Sequence, residues 1–280
     1  MIAATSAGEI VVAESVVLAE HLPVARVVVQ EAAHHAQSGA RAQDVAAVVF
    51  AHRRAECMHA QHQPVPGALG RVGEAAAEQL ARLGFGRVHA VDFDRVEERN
   101  LNRILNSSRG DAEANRLKVE VFADAVSDYR GDGVAVPLPV SITTREAVLA
   151  AASSDVVFCC VDTLEARHIA DLVAAAFLLP LFDVGVVIPV RKKVSSFAIS
   201  DVCGRIDYVQ PGGSTLQDRG IYTPETLRGE YLRRVAPEAH QQELEAGYLR
   251  GLVEEAPAVI TLNMRAASAC VNEFIARAYP

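Results

Sequence analysis

The chain has 280 residues, half of them hydrophobic, a formal net charge of −8 and a sequence pI of about 5.6. This length and apolar share can build the core of one sizeable α/β domain or of a domain with appendages. The acidic balance offers no broad attraction to nucleic acid or to an anionic membrane, so a small ligand or a basic partner surface is expected instead.

The first 22 residues, "MIAATSAGEIVVAESVVLAEHL", lack a basic start and carry Glu9, Glu14 and Glu20 where a secretory leader stays apolar, so no leader is expected. The apolar stretch "LVAAAFLLPLFDVGVVIPV" is broken by Pro180, Asp183 and Pro189, and reads as a helix end, a loop and a buried strand rather than a membrane span. Cys57, Cys159, Cys160, Cys203 and Cys270 show no C-x-x-C spacing, which suits reduced thiols in a cytoplasmic protein.

Residues 1–63 mix Val-rich runs without a clear period and are read as an N-terminal extension. Its histidines, His34, His35, His52, His59 and His62, have no carboxylate or cysteine at ligand spacing, so surface or core positions are expected for them. Residues 64–190 form the next unit. "PVPGALGRVGEAAAEQLARLGFG" is a glycine-rich turn feeding an Ala- and Leu-rich helix that stops at Gly84. "RVHAVDFD" is a short strand closing on two acids. Then come a helix ("NRLKVEVFADAVSDY"), a strand ("VAVPLPVSI"), a helix ("TREAVLAAA"), a strand ("DVVFCCVD"), a helix ("LEARHIADLVAAAFLL") and a strand ("PLFDVGVV"). This alternation predicts an α/β fold, a doubly wound, mostly parallel sheet of the Rossmann-like kind, with ligands at the carboxyl ends of its strands. Residues 191–280 read as strands and turns, a polar helical stretch and a buried closing helix, "APAVITLNMRAASACVNEFIARAYP".

Charged side chains stand where strands end or just beyond. Asp92 closes the strand after the glycine turn, about 20 residues past the turn, where an acid can hold ribose hydroxyls. Arg103 lies in "ERNLNRIL", Lys118 opens a helix, and Asp162 ends "VVFCCVD". An arginine and a lysine can neutralise a triphosphate, and a strand-end aspartate can hold magnesium. Each is weak alone; together they suit nucleotide transfer better than hydride transfer.

The run "GRVGEAAAEQLARLGFGRVHAVDFDRVEERNLNRIL", the later "NRLKVE" and "SDVVFCCVDTLEARHIADLVAAAFLLPLFDVGV" resemble the ThiF/MoeB superfamily, the adenylyltransferases related to ubiquitin-activating enzymes. The resemblance implies ATP-dependent adenylylation of the C-terminal carboxylate of a small ubiquitin-like or sulfur-carrier protein, with release of pyrophosphate. It implies that Gly70 and Gly73 form the nucleotide turn, Asp92 holds the ribose, Arg103 and Lys118 the phosphates, and Asp162 magnesium. Asn100 would orient the phosphate side, with Asp94 and Arg167 as secondary candidates, Arg167 equally readable as a structural ion pair. It also implies a symmetric homodimer, in which Arg53 or Arg54 could complete the partner's phosphate site, and a C-terminal part that docks the carrier.

Departures from the family pattern are visible. Its G-x-G-G-x-G turn reads Ala68, Leu69, Gly70, Arg71, Val72, Gly73 here, and the lead-in "HAQHQPVP" carries two prolines where a buried central strand is expected. Arg71 either reaches phosphate or points to solvent. After "PGG", Thr215 and Asp218 stand where family members carry zinc cysteines, so zinc is not expected, and Cys203 is read as a quiet thiol rather than a thioester-forming one. Two further readings compete with adenylylation: a catalytically impaired binding module of the same fold, and an NAD-binding Rossmann protein, in which Arg103, Lys118 and Asp162 have no assigned place.

Overall fold

The computed structural model describes residues 48–51, 72–187, 190–192, 197–199, 203–246 and 260–279. The lead-in, Ala68, Gly70, Arg71, Arg53, Arg54 and the five N-terminal histidines lie outside the described residues, and so do statements about the Cys203 side chain.

Helix α1 (Gly73–Arg82) forms as expected. Glu74 in its first turn and Arg82 in its last suit the helix dipole, and its buried face is mostly alanine with Leu80. Small side chains let this helix lie close on the sheet. It ends at Gly84, whose φ of +94° is a left-handed geometry that glycine adopts without strain. Strand β2 (Val88–Val91) follows, buried along its length, as a strand covered on both faces must be. Helix α2 (Arg109–Glu113) is a short turn, and α3 (Lys118–Arg130) crosses over to β3 (Ala135–Leu138). Pro137 in β3 is tolerated because β3 is an edge strand, where a missing N–H leaves no ladder bond unmade. Helix α4 (Arg145–Ala152), β4 (Val156–Cys159), α5 (Leu164–Ala176) and β5 (Leu181–Val187) complete the alternation.

With β1 (Val48–Ala51) and β8 (Cys203–Val209), the six-stranded sheet has the order β3-β2-β1-β4-β5-β8, whose first five strands match the doubly wound arrangement 3-2-1-4-5. The sheet is mixed. The pairs β2–β3 and β4–β5 are parallel, whereas β1 (Val48–Ala51) runs antiparallel to both β2 and β4. Strand β8 (Cys203–Val209) returns antiparallel along β5. The central position is thus filled by "VVFA" from the N-terminal stretch, an apolar segment suited to a place with neighbours on both edges. Strands β6 (Val190–Lys192) and β7 (Phe197–Ile199) form a separate hairpin.

Beyond the pairing of β8 with β5, the C-terminal part is fastened to this domain by side-chain contacts. Buried Asp171 on α5 accepts hydrogen bonds from the Leu216 N–H (2.9 Å), the Gln217 N–H (3.3 Å) and the Tyr222 hydroxyl (2.7 Å). Thr215 and Asp218, the pair after "PGG", clasp each other through side-chain to backbone bonds of 2.9 and 3.1 Å. Helices α6 (Pro224–Val235) and α7 (Pro237–Glu245) follow, and α8 (Ile260–Ala278) returns to the core. Phe274 of α8 sits edge-on to Phe158 (5.3 Å between ring centres) and Phe182 (5.6 Å), and tilted against Phe85 (5.5 Å). Truncating this ring opens a cavity between helix and sheet. Phe274→Ala is expected to lower unfolding stability by about 3–5 kcal/mol, read as a lower denaturant midpoint at unchanged slope.

Candidate active site

Strands β2, β3, β4 and β5 all point the same way, since β2 and β4 are each antiparallel to β1 and each has a parallel partner. Their carboxyl ends therefore share one edge of the sheet. Helices α3 and α5 begin at that edge because each follows a strand that ends there, and α1 starts there because it runs back to the beginning of β2.

Asp92 is the first residue past β2 and is 1% exposed. Its Oδ1 accepts the Asp94 N–H at 2.7 Å, while its Oδ2 is buried with no hydrogen-bond partner among the described residues. Burial pushes its carboxyl up to about 8, with the nearby Asp94 and Asp162 adding to the rise and Lys118 opposing it. The segment after Asp92 is laced to the start of α3. The Lys118 N–H donates to the Asp94 carbonyl at 3.0 Å, the Val96 N–H to the Arg116 carbonyl at 2.8 Å, and Arg95 to the Asn115 carbonyl at 2.6 Å. This places the Lys118 ammonium on the Asp94 carboxylate.

The stretch "ERNLNR" makes one 3₁₀ turn (Glu98–Asn100) and folds back on itself. Arg103 donates to the Arg99 carbonyl at 2.9 Å, to Asn102 Oδ1 at 3.2 Å and to Oδ1 of buried Asn100. Asn100 thereby orients Arg103 directly. The charges of Arg103 and Lys118 both favour the ionised form of Glu97, after the larger effect of Arg99, so both cations lie within electrostatic reach of Glu97.

Asp162 lies three residues beyond β4 and is exposed, within electrostatic reach of Asp92. Arg167, the secondary candidate, is turned inward. Its Nε donates to Asp183 Oδ1 at 2.8 Å and its Nη2 to the Val161 carbonyl at 2.8 Å, and Asp183, fully buried, is paired on its other oxygen with Arg205. Arg167 thus fits the ion-pair reading and braces the strand end next to Asp162. Gly73 is the first residue of α1, and Cys203 opens β8 opposite Val187.

One group escaped sequence reasoning. Glu74 has the sequence setting of an ordinary first-turn acid, yet it is only 6% exposed, within electrostatic reach of Lys118 and Asp92, and burial raises its carboxyl well above the usual range. Its only sequence signal was its place directly after the last glycine of the turn.

A doubly wound α/β protein with cations and carboxylates gathered at the carboxyl edge of its sheet belongs to the class whose ligands bind at that edge. The chain is a member of the ThiF family, whose model matches residues 26–261. It is 29% identical over 156 residues to ubiquitin-like modifier-activating enzyme 5 of Culex quinquefasciatus, covering 51% of this chain and 36% of that one. It is 29% identical over 133 residues to the molybdopterin-synthase adenylyltransferase of Escherichia coli K12, covering 48% and 52% respectively. Among solved structures, E. coli MccB with AMPCPP and MccA matches with a TM-score of 0.51 at 16% identity, over 74% of this chain and 52% of MccB, a likeness of fold. The chain spans about half or less of the length of these relatives.

The raised Asp92 carboxyl ties stability to pH. An unfolded aspartate titrates near 3.9, so between about 4 and 8 the folded state holds a proton that the unfolded state has lost. The associated stability is complete below that window and is lost as pH rises through it. Asp92→Asn removes the titration and replaces the unpartnered oxygen with an amide. The variant is expected to melt higher than the native protein at pH 8.5, by about 2–4 °C for each kcal/mol, with the gap narrowing toward pH 5 in thermal scans.

Proposed function

We propose that this chain uses ATP to adenylylate the C-terminal carboxylate of a small ubiquitin-like or sulfur-carrier protein, releasing pyrophosphate. The observation that carries this reading is the gathering of Asp92, Arg103, Lys118 and Asp162 at one sheet edge, around the start of α1, in a ThiF-family chain. The Asp92 carboxyl, with one oxygen unpaired among the described residues, suits a donor such as a ribose hydroxyl, and Gly70 and Gly73 are read as the nucleotide turn. Asn100 holds Arg103, and Arg103 with Lys118 neutralises the phosphates. Lys118 then exchanges its Asp94 partner for phosphate oxygens.

The attacking carboxylate is already ionised at neutral pH, so the reaction needs no general base. Alignment and fixed positive charge supply the acceleration. Asp162 is an exposed hard-oxygen ligand, of the kind magnesium takes together with phosphate oxygens. Magnesium held there would neutralise charge on the departing pyrophosphate.

Residues 191–280 dock the carrier in this reading. Their helix α6 reaches the site, since both carboxylate oxygens of Glu230 accept N–H groups at the start of α5, from Leu164 (2.9 Å) and Glu165 (2.8 Å), next to Asp162. A cytoplasmic homodimer is the proposed working form. A second reading, a binding module without turnover, is favoured by the reversed direction of β1 and the proline-containing lead-in to the turn.

ATP–pyrophosphate exchange in the presence of a cognate carrier discriminates between the two. Lys118→Ala and Asp162→Ala are each expected to lower the exchange rate by about 10²–10³-fold while leaving the protein folded. A folded native protein that binds no ATP in calorimetry would be the binding module.

A further inference from the structure

A helix leaves its first N–H groups without intrahelical partners, and a side chain just before the helix ordinarily serves one of them. At the start of α5, Thr163 does this for the Ala166 N–H, through Oγ1 at 3.3 Å. The Leu164 and Glu165 N–H groups are served from far away. Glu230 of α6, 66 and 65 residues along the chain, accepts one with each carboxylate oxygen, at 2.9 and 2.8 Å. A negative charge at this point also suits the positive end of the helix dipole.

The next turn of α6 adds a second grip. Arg234 follows Glu230 by four residues, so both lie on one face of the helix, and its Nη1 donates to Glu165 Oε2 at 2.5 Å. Glu165 is thus held by its backbone through Glu230 and by its side chain through Arg234. Gly229 is the one buried residue of α6, and Leu227 packs against the core only in part. With so little apolar area to bury, the seating of α6 leans on these polar bonds.

Asp162 stands between two anchored points. On its N-terminal side the Val161 carbonyl accepts the Arg167 guanidinium at 2.8 Å, and Arg167 is fixed in turn on buried Asp183. On its C-terminal side come Thr163 and then the two N–H groups held by Glu230. The inner anchor is built from α5 and β5; the outer one exists only where α6 lies on α5.

We propose that Glu230 is a positioning residue which, with Arg234, fixes the first turn of α5 and so sets Asp162 for magnesium, making the metal side of the site depend on the seating of the C-terminal part. The proposal rests on the reading of Asp162 as a magnesium ligand, but the cap itself belongs to the protein without nucleotide or metal. Glu230→Ala removes both acceptors. Glu230→Gln keeps one oxygen at nearly the same volume, and serves if alanine disturbs α6.

Amide hydrogen exchange on the nucleotide-free protein tests the cap. Protection of the Leu164 and Glu165 N–H groups is expected to fall about tenfold in Glu230→Ala, and at one of the two in Glu230→Gln, with α1 and α3 unchanged. Protection unchanged at both amides in either variant overturns the cap. Calorimetric ATP binding with and without magnesium then tests positioning. Magnesium is expected to tighten ATP binding by the native protein, and Glu230→Ala should reduce that gain about tenfold. Metal-free affinity should stay within about twofold, and in Asp162→Ala the same change should cost little more, because the two substitutions remove one interaction. Equal losses with and without magnesium, or fully additive losses, overturn the positioning role. A native protein that binds ATP equally well without magnesium overturns the reading of Asp162 and the positioning role with it. One that binds no ATP overturns the proposed function, and the cap is then judged on amide exchange alone.

Discussion

Everything at the candidate site depends on strand direction. A sheet covered by helices on both faces sends the chain back across a helix after each parallel strand, so strand ends and helix starts collect at one edge. Here β2, β3, β4 and β5 share that direction, and so residues as distant in sequence as Gly73, Asp92, Lys118 and Asp162 become neighbours. No local pattern brings them together. The reversed β1 leaves this intact, because a strand antiparallel to both of its neighbours still forces those neighbours to be parallel to each other.

Charged groups in the molecule divide by how completely the protein itself satisfies them. Arg167, Asp183 and Arg205 form a chain of ion pairs running from α5 into β5 and β8, with both oxygens of buried Asp183 engaged. Removing one member would strand a buried charge, so the network holds strands rather than ligands. At the sheet edge the pairing among the described residues is less complete. Asp92 keeps a buried oxygen without a partner among the described residues, Glu74 and Asp92 both hold protons more tightly than free carboxyls, and Lys118 pairs with Asp94 while acting electrostatically on Glu74, Asp92 and Glu97. Such incomplete pairing is costly in an apolar setting, which is why this edge is the candidate site.

The same edge connects the two halves of the chain. Glu230 of α6 meets the first N–H groups of α5, where the helix dipole favours a negative charge, and Asp171 on the same helix gathers the turn before α6. Helix α5 is therefore tied to the C-terminal part at two points, one of them next to Asp162. A partner that docked on the C-terminal part would be placed beside the strand end that carries Asp162.

Much of this was legible before any coordinates. Helical spacing in "EAAAEQLARL", the Gly84 stop, the apolar runs "VHAV" and "VVFC" and the acids closing them follow from short-range rules, and the structure places those elements where the sequence puts them. Arg167 was ambiguous, because a charged residue inside a helix has the same sequence signal whether it meets a ligand or a buried aspartate. Glu74 was invisible as a buried group, since tertiary packing rather than its place in the helix removes it from water. The identity of the central strand was equally out of reach: the turn's own lead-in carries prolines, and "VVFA" wins the place through pairing with strands about 40 and 110 residues away in sequence. The sequence by itself determined the elements and the chemical types at their ends, because propensity and periodicity act over a few residues. Tertiary structure alone decided which charges meet, which are paired and which stay available, because burial and long-range pairing exist only once the chain has closed on itself.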